Sequence, residues 1–171
     1  KKKSIYEKYI KVSKNNKVEF VYKKAKNSLL NNIKNLNLTT KDSVIEYPIN
    51  SIKYLNQISK NINNYGGGLL SFDYGYTNGK NKNTLQSLKK HKYLSVLSKP
   101  GKADITSHIN YKLFEKVLRK NNMDVEKIIP QSEFLQKLGI LERANMLSKN
   151  MSLKEKADIF YRLKRLLSHE E

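Results

Sequence analysis

The sequence has 171 residues, contains no cysteine, and carries a formal net charge of +19 at pH 7. This length suits a single ordinary domain with its own hydrophobic core, and the lack of cysteine excludes disulfides and thiolate metal sites. No stretch approaches the roughly 18 consecutive apolar residues of a membrane-spanning helix. Phosphate-binding Gly-Lys-Ser/Thr loops and Gly-x-Ser-x-Gly nucleophile turns are also absent from the sequence, which argues against those enzyme classes.

The positive charge comes almost entirely from lysine, since the chain has only four arginines. Such a charge attracts RNA or acidic proteins through long-range electrostatics. Specific readers of phosphates and bases favour arginine for its bidentate geometry, however, and here the lysines are spread along the chain. We therefore favour a compositional bias, and we keep open the alternative of a lysine-rich, non-catalytic binding module for RNA or an acidic protein partner.

The first segment, residues 1–43, has the pattern of a β-hairpin followed by a short helix. Apolar and polar residues alternate over residues 18–22, after a turn-forming cluster at residues 13–17, as they do in hairpin strands. The apolar residues that follow predict a short helix over residues 25–38. In a sheet whose strands alternate with helices, such a hairpin would be an insertion.

The next segment predicts a helix and then a buried strand. Apolar residues at helical spacing indicate a helix over residues 49–63, and Gly66 is typical of a helix end. The almost continuous apolar run at residues 69–72 predicts a strand covered on both faces. Asp73 then lies at the carboxyl end of that strand, which is the edge where open α/β sheets bind ligands.

The rest of the chain is predicted to be mainly helical. Its elements follow in this order: a short helix capped by Thr84, a long ordered loop over residues 93–109, a helix over 110–119, a strand over 125–129, a helix over 132–150 broken near Gly139, and a helix over 153–167 opened by a capping box. The three histidines are isolated and lack the local spacing of metal ligands, so no metal site is predicted.

Several blocks of the sequence also match, in order, the motifs of a known family. They are Gly-Gly-Gly-Leu-Leu-Ser-Phe-Asp-Tyr-Gly-Tyr at residues 66–76, Thr-Leu-Gln at 84–86 with His91, Pro-Gly-Lys-Ala-Asp-Ile-Thr-Ser-His-Ile at 100–109, and Gln-Ser-Glu-Phe-Leu-Gln-Lys-Leu-Gly-Ile-Leu-Glu-Arg at 131–143. Residues 44–48 are a looser counterpart of a Glu-x-Ser-Pro element. In these blocks the chain resembles the MidA-like S-adenosylmethionine-dependent methyltransferases, which include mitochondrial complex I assembly enzymes that modify a protein arginine.

The resemblance implies an α/β fold of the class I (Rossmann-like) methyltransferase type. Residues 44–171 would form its C-terminal half, and residues 1–43 would add the inserted hairpin and short helix. A glycine-rich loop between a strand and a helix, which the cofactor S-adenosylmethionine requires, does not occur in the sequence. We therefore expect a fragment that is inactive alone and needs the N-terminal half of the domain as its partner.

The function implied for the parent enzyme is methyl transfer to a protein arginine, with a respiratory complex I subunit as the suggested substrate. For its location we expect the bacterial cytoplasm in preference to the mitochondrial matrix.

The strongest candidate site is the tip formed by Asp73, Tyr74, Gly75 and Tyr76. A carboxylate can hold a guanidinium or amine by charge-assisted hydrogen bonds, and we assign Asp73 a catalytic role in orienting such a group. Tyr74, Gly75 and Tyr76 are assigned to substrate binding. The alternative is that Asp73 only caps the following loop and that Gly75 is needed only for the turn.

Three further polar residues are candidates for the same site. Glu46 would face a cationic substrate, although an ordinary solvated carboxylate or a charge at a helix N-terminus fits its pattern equally well. His108 could relay the proton that is lost after transfer, which makes it the second catalytic candidate. Asp104 is assigned to substrate binding, with hydrogen bonding to its own backbone as the alternative.

Overall fold

The computed structural model describes residues 4–38, 44–78 and 83–168 and shows a mixed α/β protein. The chain divides after Val125 into two compact units, which we describe separately. The predicted boundary between residues 43 and 44 adjoins residues outside the described part and stays a prediction. None of the helices in the described ranges is both long and apolar enough to cross a membrane.

The first unit begins with the predicted hairpin. Strands β1 (Tyr6–Val12) and β2 (Val18–Lys24) pair antiparallel over their whole length. Asn16 adopts a left-handed conformation in the turn, with φ 55°, which asparagine tolerates better than most residues. Lysines pack over aromatic rings on this hairpin, with Lys8 Nζ 4.7 Å from the Phe20 ring centre. This contact accounts for part of the interleaving of lysine and aromatic residues in the sequence.

Three helices form the core of the first unit. They are α1 (Asn27–Asn35), α2 (Ile49–Tyr65) and α3 (Tyr111–Lys120), and each confirms a helix predicted from apolar spacing. Their buried side chains meet in one cluster composed of Leu36, Ile52, Leu55, Leu113 and Val117. Asn110 caps α3, because its Oδ1 accepts a hydrogen bond from Leu113 N at 3.1 Å. The helical core therefore supports the start of α3, where the candidate site lies.

Short strands occupy two regions for which the sequence predicted a helix and a long loop. Strands β4 (Gln86–Lys89), β5 (Lys92–Leu94) and β6 (Asp104–Thr106) form a three-stranded antiparallel sheet in the order β5-β4-β6. The short helix predicted after Thr84 was therefore wrong, and so was the uninterrupted loop over residues 93–109. The turn between β4 and β5 contains Lys90 and His91 with φ 49° and 59°. Hairpin turns of this kind usually contain Asn or Gly, so the sequence carried no turn signal.

The predicted buried strand at residues 69–72 is also absent. Leu69, Leu70 and Phe72 are 46%, 66% and 50% exposed, and no ladder forms there. Strand β3 begins only at Gly75 and covers Gly75–Tyr76, where it pairs in parallel with β7 (Ile109–Asn110). Likewise, residues 125–129 form no strand. The physical reason is the same in both places: a strand needs a hydrogen-bonded neighbour, and in the described ranges neither segment pairs with one.

The second unit contains three helices, α4 (Gln131–Lys137), α5 (Ile140–Ser148) and α6 (Leu153–Leu167). Gly139 separates the first two in a left-handed conformation with φ 78° and ψ 32°, which confirms the predicted break. The predicted capping box is present: Ser152 N donates to Glu155 Oε2 at 2.9 Å, and Ser152 Oγ accepts from Glu155 N at 3.4 Å. Hydrogen bonds from Ser152 lower the pKa of the Glu155 carboxyl.

Candidate functional site

The predicted tip is held by the segment that leads into α3. Gly75 pairs with Ile109 and Tyr76 with Asn110 in the parallel β3–β7 ladder. Ile109 N donates to the Tyr74 carbonyl at 2.9 Å, which extends the contact by one residue. The backbone of the tip is therefore positioned by residues 34 or more positions later in the sequence, and a local sequence pattern does not reveal such a pairing.

Tyr111 packs against the tip so closely that only glycine fits at position 75. A Cβ on Gly75 would lie 2.5 Å from Ile109 O and 2.5 Å from Tyr111 Cε2. The Tyr111 hydroxyl donates to the Asp73 carbonyl at 3.0 Å. Burial raises the pKa of this phenol above its ordinary value, so the hydroxyl stays protonated at neutral pH as an unperturbed tyrosine would. Gly75 is thus required for the close approach of Tyr111 and Ile109, and its φ lies outside the left-handed region that a turn glycine would adopt.

The side chains of the tip differ in their access to solvent. Asp73 is exposed, and its Oδ1 accepts a hydrogen bond from Tyr74 N at 2.8 Å. An ionised carboxylate has about four acceptor positions, so Asp73 can still bind an external cation. Tyr74 is 67% exposed beside it, whereas Tyr76 is 9% exposed and buried. The geometry allows the predicted roles of Asp73 and Tyr74, which stay predictions, and Tyr76 offers little surface to a substrate.

Glu46 is hydrogen-bonded to residues near position 84. Its Oε1 accepts from Thr84 N at 2.7 Å and from Leu85 N at 3.1 Å, and its Oε2 accepts from the Thr84 hydroxyl at 2.7 Å. Glu46 is half-buried, and both of its oxygens have partners within the protein. The alternative of an ordinary solvated carboxylate is therefore wrong, and the substrate-binding role stays a prediction.

His108 and Asp104 lie at different places relative to the tip. His108 N donates to the Thr84 hydroxyl oxygen at 2.9 Å, and His108 is exposed directly before β7. Asp104 is exposed on β6, where it pairs with Leu88 in the three-stranded sheet. The Glu46 carboxylate and the His108 N–H are joined through Thr84, and the Asp73 carbonyl is joined to the segment after His108 through Tyr111. Asp104 lies instead in the three-stranded sheet. The proton-relay and substrate roles of these residues stay predictions.

Sequence reasoning missed three residues of this region. Thr84 joins Glu46 to His108, Tyr111 holds the tip, and Asn110 pairs with Tyr76 and caps α3. Thr84 stands in one of the blocks that resemble the family, and its residue type predicted a helix cap, not these contacts. Tyr111 lies two residues after another block, and nothing in its own neighbourhood indicated a contact with residue 73.

The described residues do not form a cofactor loop by themselves. Gly66, Gly67 and Gly68 follow α2 and precede an exposed, non-strand segment, and a Cβ on any of them would meet nothing within 4 Å. Binding of S-adenosylmethionine needs backbone that approaches the cofactor closely after a strand, whereas these glycines follow a helix. Across the described ranges there is also no group of three potential metal-ligating side chains.

Comparisons with known proteins agree with the motifs. Residues 1–129 match a family model described as "Putative S-adenosyl-L-methionine-dependent methyltransferase". A 93-residue segment is 33% identical to the protein arginine methyltransferase NDUFAF7 homolog, mitochondrial, of Caenorhabditis elegans, and a 98-residue segment is 31% identical to NDUFAF7 of Xenopus tropicalis. These segments cover 54% and 57% of the chain but 22% of each relative, so the match spans about a fifth of the relatives' length.

A solved structure has the same fold. An uncharacterised protein from Burkholderia thailandensis superposes with a TM-score of 0.74 over 97% of the chain and 46% of its own length. At 15% sequence identity this likeness concerns the fold alone. The chain therefore corresponds to less than half of that larger fold.

Proposed function

Because the chain belongs to a family of S-adenosyl-L-methionine-dependent methyltransferases, we propose that it is the C-terminal portion of such an enzyme and that its tip binds the methyl acceptor. The observation that carries this proposal is the exposed Asp73 carboxylate, on a backbone that accepts hydrogen bonds from Ile109 N and from the Tyr111 hydroxyl. A methyl acceptor must be oriented accurately before transfer, and a fixed carboxylate can do this. The cofactor supplies the methyl group from its sulfonium when it is bound.

The proposed acceptor is a protein arginine. Both NDUFAF7 relatives are named as protein arginine methyltransferases, which supports this choice. Asp73 also has the chemistry to pair with a guanidinium. A respiratory complex I subunit as the target rests on the resemblance alone. His108 is proposed to accept the released proton, with Tyr74 and Gly75 beside the acceptor. The buried Tyr76, Asp104 on the three-stranded sheet and the hydrogen-bonded Glu46 were predicted to bind the acceptor, but they are not proposed to contact it.

We further propose that the chain is the C-terminal half of a Rossmann-like sheet, with the β1–β2 hairpin as an insertion. The exposed apolar residues Leu69 and Leu70 support this, since the sequence pattern is that of a buried strand and the N-terminal half would cover it. The chain covers 46% of the related solved structure, which leaves ample length for that half. On this proposal the chain alone does not transfer methyl groups.

A bacterial cytoplasmic location is proposed together with this function. The absence of cysteine fits a reducing compartment. Fractionation of cells that produce the tagged protein from its own gene would test it, and recovery from a membrane or extracellular fraction would contradict it.

The first prediction concerns cofactor binding. We expect S-adenosylmethionine to bind the longer protein that includes the upstream half and not to bind the 171-residue chain, because the described residues lack the loop that would hold it. Isothermal titration calorimetry of both proteins measures this directly. Binding by the short chain would contradict the proposed division of the domain.

The absence of binding to either protein would contradict the enzyme proposal itself. In that case the lysine-rich binding module becomes the leading interpretation. A salt series then tests it, because affinity for RNA should fall steeply between about 50 and 200 mM salt if phosphates carry the binding.

The second prediction concerns Asp73. In the longer protein, we expect Asp73→Asn to lower methylarginine formation about tenfold, since a neutral amide loses the charge-assisted bond to a guanidinium. The assay incubates enzyme and labelled cofactor with an extract of cells that lack the gene, followed by amino-acid analysis. Calorimetric cofactor affinity should not change. An unchanged rate, or label on lysine only, would contradict arginine binding by Asp73.

A further inference from the structure

Glu46 and Thr84 form a network that ties together segments far apart in the sequence. The Glu46 carboxylate accepts three hydrogen bonds, two of them from backbone N–H groups at positions 84 and 85 and one from the Thr84 hydroxyl. Bonds from N–H groups to a carboxylate are charge-assisted and stronger than neutral ones. Thr84 lies 38 residues from Glu46 in the sequence, so the network closes a long loop.

The Thr84 hydroxyl also forms a hydrogen bond with the segment that holds the tip. It donates to Glu46 Oε2 and at the same time accepts from His108 N at 2.9 Å. A hydroxyl has one donor and two acceptor positions, so both bonds are compatible. Through this single oxygen, the position of His108 depends on Thr84 and on Glu46.

From His108 the contacts continue to Asp73. The next residue, Ile109, donates its N–H to the Tyr74 carbonyl at 2.9 Å and pairs with Gly75. Two residues further on, the Tyr111 hydroxyl donates to the Asp73 carbonyl at 3.0 Å. A displacement of residues 108–111 would therefore displace the backbone that carries the Asp73 carboxylate.

We propose that Glu46 and Thr84 are positioning residues, which fix the tip through residues 108–111 and do not themselves contact the methyl acceptor. Three of the roughly four acceptor positions of the Glu46 carboxylate are engaged within the protein, which leaves little capacity for a guanidinium. The consequence for methyl transfer rests on the proposed function, whereas the consequence for the order of residues 108–111 does not.

The structural part is tested on the 171-residue chain by amide hydrogen exchange, followed by NMR. Thr84→Val keeps the side-chain shape and removes the hydroxyl, so exchange at the His108 and Ile109 amides should rise about tenfold. Thr84→Ser retains the hydroxyl, so the His108 and Ile109 amides should exchange as slowly as in the wild-type chain. Thr106→Val is the matched control, because it removes a hydroxyl that accepts a hydrogen bond from Gln86 Nε2 on the neighbouring strand at 3.1 Å.

Amides of α2 serve as an internal reference for folding, since they lie in the same unit away from the network. Faster exchange at His108 with unchanged exchange in α2 is the expected result. Unchanged exchange at His108 in Thr84→Val would overturn the proposal. If that variant unfolds as a whole, Glu46→Gln, which keeps the shape of the side chain and removes its charge, gives the same test.

The functional part uses the longer enzyme and a double-mutant cycle. We expect Thr84→Val and Glu46→Gln each to raise KM for the acceptor protein about tenfold, with a double variant scarcely worse than either, because both act through one network. If Glu46→Gln alone raises KM and leaves exchange at His108 unchanged, Glu46 contacts the acceptor directly and the proposal is wrong. A wild-type enzyme without methyl transfer would defeat the proposed function, while hydrogen exchange would still decide the positioning role.

Discussion

Gly75→Ala is expected to lower the free energy of unfolding of the first unit by about 2–3 kcal/mol, the range for a side chain forced into a packed site. The added methyl group would lie 2.5 Å from the Ile109 carbonyl oxygen, which belongs to the backbone of β7 and cannot rotate away. The methyl group would also meet the Tyr111 ring at 2.5 Å. The parallel β3–β7 pairing must therefore separate.

The effect on function should be larger than the effect on stability. In the longer protein, we expect Gly75→Ala to reduce methyl transfer about 100-fold, since a displacement of the order of 1 Å at a reacting group has this consequence. The measurement combines urea unfolding of the chain with the transfer assay on the longer enzyme. Cofactor binding should be unchanged, which would separate misplacement of the acceptor site from loss of the cofactor site.

Gly68→Ala is the matched control for stability. It adds the same methyl group seven positions earlier, where nothing lies within 4 Å, so the unfolding free energy of the chain should change by less than about 0.5 kcal/mol. The double variant Gly75→Ala/Tyr111→Ala tests the cause, because it removes the ring and leaves the Ile109 carbonyl oxygen in place. We expect the double variant to recover part of the unfolding free energy that Gly75→Ala loses. Equal stability of Gly75→Ala and Gly68→Ala would refute the close contact.

Leu113→Ala is expected to lower the free energy of unfolding of the first unit by about 3–5 kcal/mol, which is the upper part of the range for truncating a buried leucine. Leu113 is 2% exposed at the centre of the cluster in which α1, α2 and α3 meet. Its removal leaves a cavity that helices fixed at both ends cannot close. Because Tyr111 and Leu113 share α3, a loss of this helix would also release the tip.

Urea unfolding followed by tyrosine fluorescence measures this change. Every tyrosine except Tyr161 lies in the first unit, and the chain has no tryptophan, so the signal reports mainly on that unit. Leu70→Ala is the matched control, since Leu70 is 66% exposed and its truncation should cost less than about 0.5 kcal/mol in this chain. Equal losses of unfolding free energy in Leu113→Ala and Leu70→Ala would contradict the position of the core.

Comparison of the two leucines in the longer protein bears on the proposed function as well. If an N-terminal half covers residues 69–72, Leu70→Ala should lower the free energy of unfolding more in the longer protein than in the short chain, as truncation of a buried residue does. Leu113→Ala should lower the free energy of unfolding equally in both proteins.

Local sequence patterns were sufficient to predict the observed helices α1 to α6 and the β1–β2 hairpin. Helices α2 and α3 follow from apolar residues three and four positions apart, and α6 follows from Ser152 and Glu155 in a capping box. The hairpin follows from alternation around a polar turn. All of these signals are local, because each element satisfies its backbone hydrogen bonds within itself or with its neighbour in sequence.

The remaining strands and the contacts that hold the site depend on long-range pairing within the fold. Strand β3 has two residues and exists only because β7 lies beside it. The apolar run at residues 69–72 carries the pattern of a strand and stays exposed, since its pattern cannot supply the neighbour it needs. In the same way, Glu46 and Tyr111 acquire their contacts from residues 38 positions away in sequence. Such contacts depend on how the chain folds back on itself, and no local pattern encodes that.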